Sequence, residues 1–160
     1  IPSFESREYL VVEYLARLFQ AQGIPFRITT VDGVPLNFVA QIGSGDKTLV
    51  LNTHMDVVPP GNLGEWVTDP FSPAENEGVI AGRGVADAKG SLAAMTLAFF
   101  ELARRQHCLG GRVVFMAVGG EERGGIGTRA ELAGDFRADA AIIGEPTSLI
   151  PMIAHKGCSG

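Results

Sequence analysis

The run Lys47 to Thr53 most constrains the fold, because it is too short for a helix and continuously apolar at Leu49-Val50-Leu51. Strands of that kind lie at the centre of a sheet covered on both faces, which is the habit of parallel sheets. Arg112 to Val118 repeats the pattern, and Ala140 to Ile143 gives a further strand. Helical segments lie between or before these strands. Residues 5–22 place Val11, Tyr14, Leu15, Leu18 and Phe19 at helical spacing, with Ser3 or Ser6 as cap and Gly23 as stop. Residues 90–106 place Leu92, Met95, Phe99, Leu102 and Ala103 on one face, and Thr128 to Ala133 reads as a short helix. Strand, helix, strand, helix, strand implies right-handed crossovers. The expected fold class is therefore α/β, a three-layer αβα arrangement with a mostly parallel central sheet. Pro25 to Val31 and Asn37 to Gly43 flank the Asp32-Gly33 turn signal and predict an antiparallel hairpin at the sheet edge. Residues 55–86 form a long irregular connection with a short strand at Gly78 to Ala81, and Leu149 to His155 predicts a last strand.

Composition narrows the partners. With 160 residues, 46% of them hydrophobic, the chain supports one core and no second independent one. A net charge of -5 and 13 scattered basic residues argue against nucleic acid or an anionic membrane, which need clustered Lys and Arg, so a small solute is the expected partner. Cys108 and Cys158 show no C-x-x-C spacing and read as reduced thiols and small buried hydrophobes. No stretch approaches ~20 apolar residues and no basic-then-apolar leader is present, so the expected location is the cytoplasm. A chain that begins at Ile1 rather than Met is expected to lack the start of its natural form.

The chemistry gathers where strands stop. In open parallel sheets the binding crevice lies beyond the carboxyl ends of the strands. His54 follows the strand 47–53, Glu121-Glu122 follow 112–118 after two glycines, Glu145 follows 139–144, and Asp87 stands just before the helix at Gly90. Like charges held close require a cation, and carboxylates with one imidazole suit a hard or borderline metal ion. In His54-Met-Asp56, alternate residues of an extended segment share a side, so Asp56 can take the imidazole N–H that a metal leaves free. Glu121 and Glu122 point different ways in an extended backbone, which suits one for metal and the other as general base. Taken singly, each of these residues also has a plain reading, as a core histidine, a turn aspartate or a solvated loop charge.

Five ordered runs carry a family resemblance: Asn52-Thr-His-Met-Asp-Val-Val-Pro-Pro-Gly61, Trp66-Val-Thr-Asp-Pro-Phe-Ser-Pro73, Gly82-Arg-Gly-Val-Ala-Asp-Ala-Lys-Gly90, Gly119-Gly-Glu-Glu-Arg-Gly-Gly125 and Gly144-Glu-Pro-Thr147. Together they resemble the dinuclear zinc aminoacylase and carboxypeptidase family, whose members include acetylornithine deacetylase and succinyl-diaminopimelate desuccinylase. The resemblance implies a zinc-exopeptidase-like fold and two zinc ions, with cobalt or manganese as substitutes. His54 and Glu145 would bind one ion, Asp87 would bridge both, and Glu122 would bind the second. Glu121 would be the general base on a metal-bridged water, Asp56 would orient His54, and the Asp87-Ala88 peptide bond would be cis. The implied reaction removes an acetyl or succinyl group from an N-acyl amino acid, or cleaves a small peptide.

The family's fifth ligand, a histidine, lies later, beyond an inserted lid domain that also forms a homodimer interface. Neither His107 nor His155 matches it, so residues 1–160 are expected to be the N-terminal portion of the catalytic domain, truncated before the lid. The alternative for this chain is a catalytically inactive metal-binding or structural fragment. A nucleotide-binding module fits poorly, since neither Gly82-Arg-Gly84 nor Gly124-Gly-Ile-Gly127 completes G-x-G-x-x-G after a strand. A serine hydrolase lacks its G-x-S-x-G elbow.

Overall fold

The computed structural model describes residues 1–153. In chain order the elements are α1 (Tyr9–Ala21), β1 (Phe26–Val31), β2 (Val34–Gly43), β3 (Thr48–His54), β4 (Ala74–Asn76), β5 (Val79–Ala81), α2 (Gly90–Arg104), β6 (Arg112–Val118), α3 (Ile126–Leu132) and β7 (Ala140–Ile143). Five strands form one mixed sheet in the order β1-β2-β6-β3-β7, while β4 and β5 make a separate hairpin. β6, β3 and β7 run parallel, and β1 and β2 add an antiparallel hairpin onto β6. This agrees with the expected α/β architecture.

The two faces of the sheet differ in how they are covered. Phe38, Ala40 and Ile42 of β2, Leu51 of β3, and Val113, Phe115 and Ala117 of β6 share one core with Val11, Val12, Leu15 and Phe19 of α1 and Leu92, Phe99 and Phe100 of α2. Phe19 is its centre, with Phe38, Phe99, Phe100 and Phe115 rings all at 4.7–5.7 Å. Because side chains alternate along a strand, Val39, Val50, Val114, Met116 and Val118 turn to the opposite face, where Phe136 packs on them. α3 also lies on that side, its Glu131 bonded to Asn37 of β2.

Several local expectations are corrected. Neither Ser3 nor Ser6 caps α1: Ser3 Oγ donates to the Met55 carbonyl, Ser6 Oγ accepts from Arg123, and the helix begins at Tyr9 without a side-chain cap. Tyr14 is exposed and Val12 takes its place in the core. The short strand near Gly78 pairs with a second one, Ala74–Asn76. β7 lies at the sheet edge, so its four residues are exposed rather than covered. Residues 149–153 form no strand, since the chain turns at Ser148 and Leu149, both with positive φ; residues 154 and 155 of that expected strand lie outside the described residues. Cys108 is exposed, because it sits in the short turn Gln106–Cys108 that leaves α2, and Cys158 lies outside the described residues. No helix among the described residues is long and apolar enough to cross a membrane.

Candidate metal centre

His54 is the last residue of β3 and lies opposite Val118, the last residue of β6. Met55 N–H donates to the Val118 carbonyl at 2.7 Å, so both chains leave the sheet side by side. β6 then turns through Gly119 and Gly120, the latter at φ 71, into Glu121-Glu122. On the other flank, Gly144 N–H donates to Asn52 O at 2.8 Å and Thr53 Oγ1 donates to Gly144 O at 2.9 Å, which brings Glu145 alongside His54. Asp87 comes from a different place, the kinked turn Val85–Lys89 ahead of α2, where its own backbone is non-helical and the Asp87-Ala88 peptide bond is cis.

The side chains converge. His54 is 1% exposed; its Nε2 lies 2.8 Å from Asp87 Oδ1 and 3.8 Å from Glu145 Oε2. His54, Asp87 and Glu122 each offer a ligand atom within 4.8 Å of the other two. Donors gathered this closely suit divalent cations, each ligated at the ~2.0–2.2 Å typical of zinc with nitrogen and carboxylate oxygen. The donor set, one imidazole and carboxylates, fits the borderline-to-hard divalent ions the motifs imply. Asp87 and Glu145, 52% and 36% exposed, open the cluster to solvent.

Asp56 has a larger part than the H-x-D spacing suggests. The imidazole Nδ1 is 2.9 Å from the Asp56 backbone carbonyl and 3.5 Å from its Oδ1. The carboxylate oxygens accept the backbone N–H groups of Glu121 at 3.1 Å and Glu122 at 3.0 Å. One buried side chain thus joins the His54 strand exit to the Glu121-Glu122 loop. The electrostatics follow from this crowding. Burial opposes a charged His54 ring, but hydrogen bonds to Asp56 and Asp87 and the nearby Glu145 outweigh it and raise the pKa to about 9. Burial also opposes ionised Asp56, yet His54 and the two backbone donors hold its carboxyl below the usual range. Glu122 is pushed up by burial and by the charge of Asp87, and Glu145 by burial and by Glu121, Asp87 and Glu122, with His54 opposing both. Carboxyls held up by one another's charge are groups that a cation would relieve.

The structure thus brings His54, Asp87, Glu122 and Glu145 together beyond the carboxyl ends of β3, β6 and β7, with Asp56 against His54 and the Glu121 backbone bonded to Asp56. Sequence reasoning missed the residues that hold them. Asn37 is fully buried on β2 and bonded to Gly119 and Gly127, and Glu8 is fully buried beside α1 and ion-paired with Arg123 of the Glu121-Glu122 loop. The signal for Asn37 is its polarity within the apolar run Leu36 to Ala40, since Asn is disfavoured in strands.

Comparison with known proteins converges on the same architecture. Residues 50–155 match the model of Peptidase family M20/M25/M40. The chain is 37% identical over 159 residues to a Staphylococcus epidermidis protein named "Probable succinyl-diaminopimelate desuccinylase", covering 98% of this chain and 39% of that one. It is 36% identical over 159 residues to acetylornithine deacetylase of Vibrio vulnificus, covering 98% of this chain and 41% of that one. The M20 family metallo-carboxypeptidase Sso-CP2 from Sulfolobus solfataricus superposes with a TM-score of 0.77 at 26% identity, over 89% of this chain and 34% of that one. The chain thus spans about two-fifths of the length of the curated relatives it matches. With a matching family model over most of its length and the strand-end cluster in place, this chain belongs to Peptidase family M20/M25/M40.

Proposed function

We propose that these residues form the N-terminal portion of the catalytic domain of a metal-dependent amidohydrolase, which removes an acetyl or succinyl group from an N-acyl amino acid or cleaves a small peptide. The convergence of His54, Asp87 and Glu122 donor atoms within 4.8 Å of one another carries the reading. The names of the relatives, a desuccinylase and a deacetylase, support the substrate class.

In this reading His54 and Glu145 would hold one zinc ion and Glu122 a second, with Asp87 available to both. Bound divalent cations supply Lewis acidity, polarising a carbonyl and lowering the pKa of a water. The protein's own part begins with Asp56, whose backbone carbonyl faces His54 Nδ1 and leaves Nε2 directed at the cluster. The Asp56 carboxylate holds the Glu121 and Glu122 backbones, so the two side chains diverge from a pinned origin. Glu122 stays with the donors, and Glu121 takes a proton from the attacking water and delivers it to the leaving amine.

The test uses the longest native chain containing these residues, stripped of metal and reloaded with zinc, against N-acetyl and N-succinyl amino acids and dipeptides. Hydrolysis should require zinc, and Glu121→Gln should lower kcat by roughly 10²–10⁴-fold while zinc still binds. Zinc-independent turnover, or a Glu121→Gln enzyme of normal kcat, would refute the proposal.

A further inference from the structure

The segment from Gly119 to Gly127 is a closed loop, and its base is knotted to one side chain. Gly127 N–H donates to Gly119 O at 3.0 Å and Ile126 N–H to Gly120 O at 3.1 Å, so the loop leaves and re-enters the fold at one point. Asn37, fully buried on β2, fills that point. Its Oδ1 accepts from Gly119 N–H at 3.2 Å and its Nδ2 donates to Gly127 O at 3.0 Å. The second Nδ2 proton goes to Glu131 Oε1 at 2.9 Å, and Arg27 secures Glu131 from the far side, so the amide cannot flip without losing its partners. The packing leaves no slack. A Cβ added at Gly127 would lie 2.3 Å from Asn37 Oδ1 and 2.4 Å from Gly119 O.

The same loop carries Glu121 and Glu122 at its tip, where Asp56 accepts both backbone N–H groups, and its flank is held by the ion pair of Arg123 with buried Glu8. Asp56 alone fixes two amides at the tip. A rigid-body tilt of the loop about that tip is opposed by the Arg123 ion pair on its flank and by what holds the base.

We propose that Asn37 is a positioning residue: by bridging both ends of the Gly119–Gly127 loop, its amide sets where Glu121 and Glu122 stand relative to His54 and Asp87. The inference rests on the reading that Glu121 and Glu122 serve the metal site. Asn37 touches neither metal nor substrate and acts through the loop alone. Buried hydrogen-bonded amides are costly to replace, and a position error of about 1 Å in a catalytic group suffices for a 10²-fold loss.

The experiment compares Asn37→Ala with Val39→Ala in the longest native chain containing these residues. Val39 is buried on the same strand and the same sheet face but pairs with Arg27 and Met116, away from the loop, so it reports ordinary core loss. Asn37→Thr is the second variant: threonine suits a strand, and its shorter hydroxyl cannot span both loop ends. Three readouts are taken well below each variant's Tm. Amide hydrogen exchange of residues 119–127 in metal-free protein should rise at least about tenfold in the Asn37 variants and not in Val39→Ala. Zinc affinity should weaken by about 10–100-fold and kcat should fall, with KM little changed, again only in the Asn37 variants. Unchanged exchange in a folded Asn37 variant overturns the proposal. So does raised exchange with zinc affinity and kcat equal to those of Val39→Ala. A wild-type protein that neither binds zinc nor hydrolyses amides would instead sink the proposed function, and the exchange result would still decide whether Asn37 holds the loop.

Discussion

Asp56→Asn is the sharpest perturbation of this molecule, because it keeps the shape while removing a charge and turning one acceptor oxygen into a donor. The Asp56 side chain is 3% exposed and accepts two backbone N–H groups, at 3.1 and 3.0 Å, from Glu121 and Glu122. An asparagine offers one oxygen, so one amide keeps an acceptor and the other faces an NH₂ group. Losing one charge-assisted hydrogen bond, at about 1.5–3 kcal/mol, and leaving a donor opposed gives a loss of about 3 kcal/mol. For a chain of this size that is a Tm decrease of roughly 6–12 °C. The pH dependence carries a sign. The folded-state pKa of Asp56 is depressed, so its contribution is present above the unfolded value of about 3.9 and lost as pH falls through the folded one. The gap between wild type and variant should therefore be full near neutral pH and close in acid. Thermal melts of the metal-free protein across that range are the assay, with a zinc titration alongside, where a 10–100-fold loss of affinity is expected. A variant within about 1 °C of wild type at neutral pH, or a gap that widens in acid, would refute the account of Asp56 as the buried acceptor that ties the two strand exits together.

Metal and proton should compete at His54. Its pKa is raised to about 9, so in metal-free protein its contribution is present below the unfolded value of about 6.5 and lost as pH rises through about 9, while zinc affinity climbs about tenfold per pH unit over the same window. Metal-free melts that stay flat through that window, or pH-independent zinc binding, would contradict this. Phe19→Ala should cost about 3–5 kcal/mol by urea denaturation, since Phe19 is fully buried among four other rings, and a loss under about 1 kcal/mol would mean the core is not centred there.

The legibility of the molecule followed the range of the interactions involved. Leu49-Val50-Leu51 and Val113 to Val118 announced central strands, since a strand buried on both faces must be apolar at consecutive positions. Tyr14 was misplaced because helical periodicity cannot say which of two neighbouring stripes faces the sheet, and Val12 won that place. Ser3 and Ser6 looked like caps because capping is local, but a buried carbonyl at Met55 and the Arg123 guanidinium claimed their hydroxyls instead. Cys108 was expected inside and is outside, because its exposure depends on how α2 leaves the sheet rather than on its own polarity.

The sequence by itself determined the strand-helix alternation, the carboxyl-end location of the acidic residues and, through five ordered motifs, the family. These rest on periodicity and on groups next to each other along the chain. Only the tertiary structure decided that Asp56 binds the Glu121 and Glu122 backbones 65 and 66 residues away. It likewise decided that Asn37 closes the base of their loop across 82 and 90 residues. The physical reason is that a buried polar side chain must find partners, and a linear sequence shows the need while the fold alone supplies them.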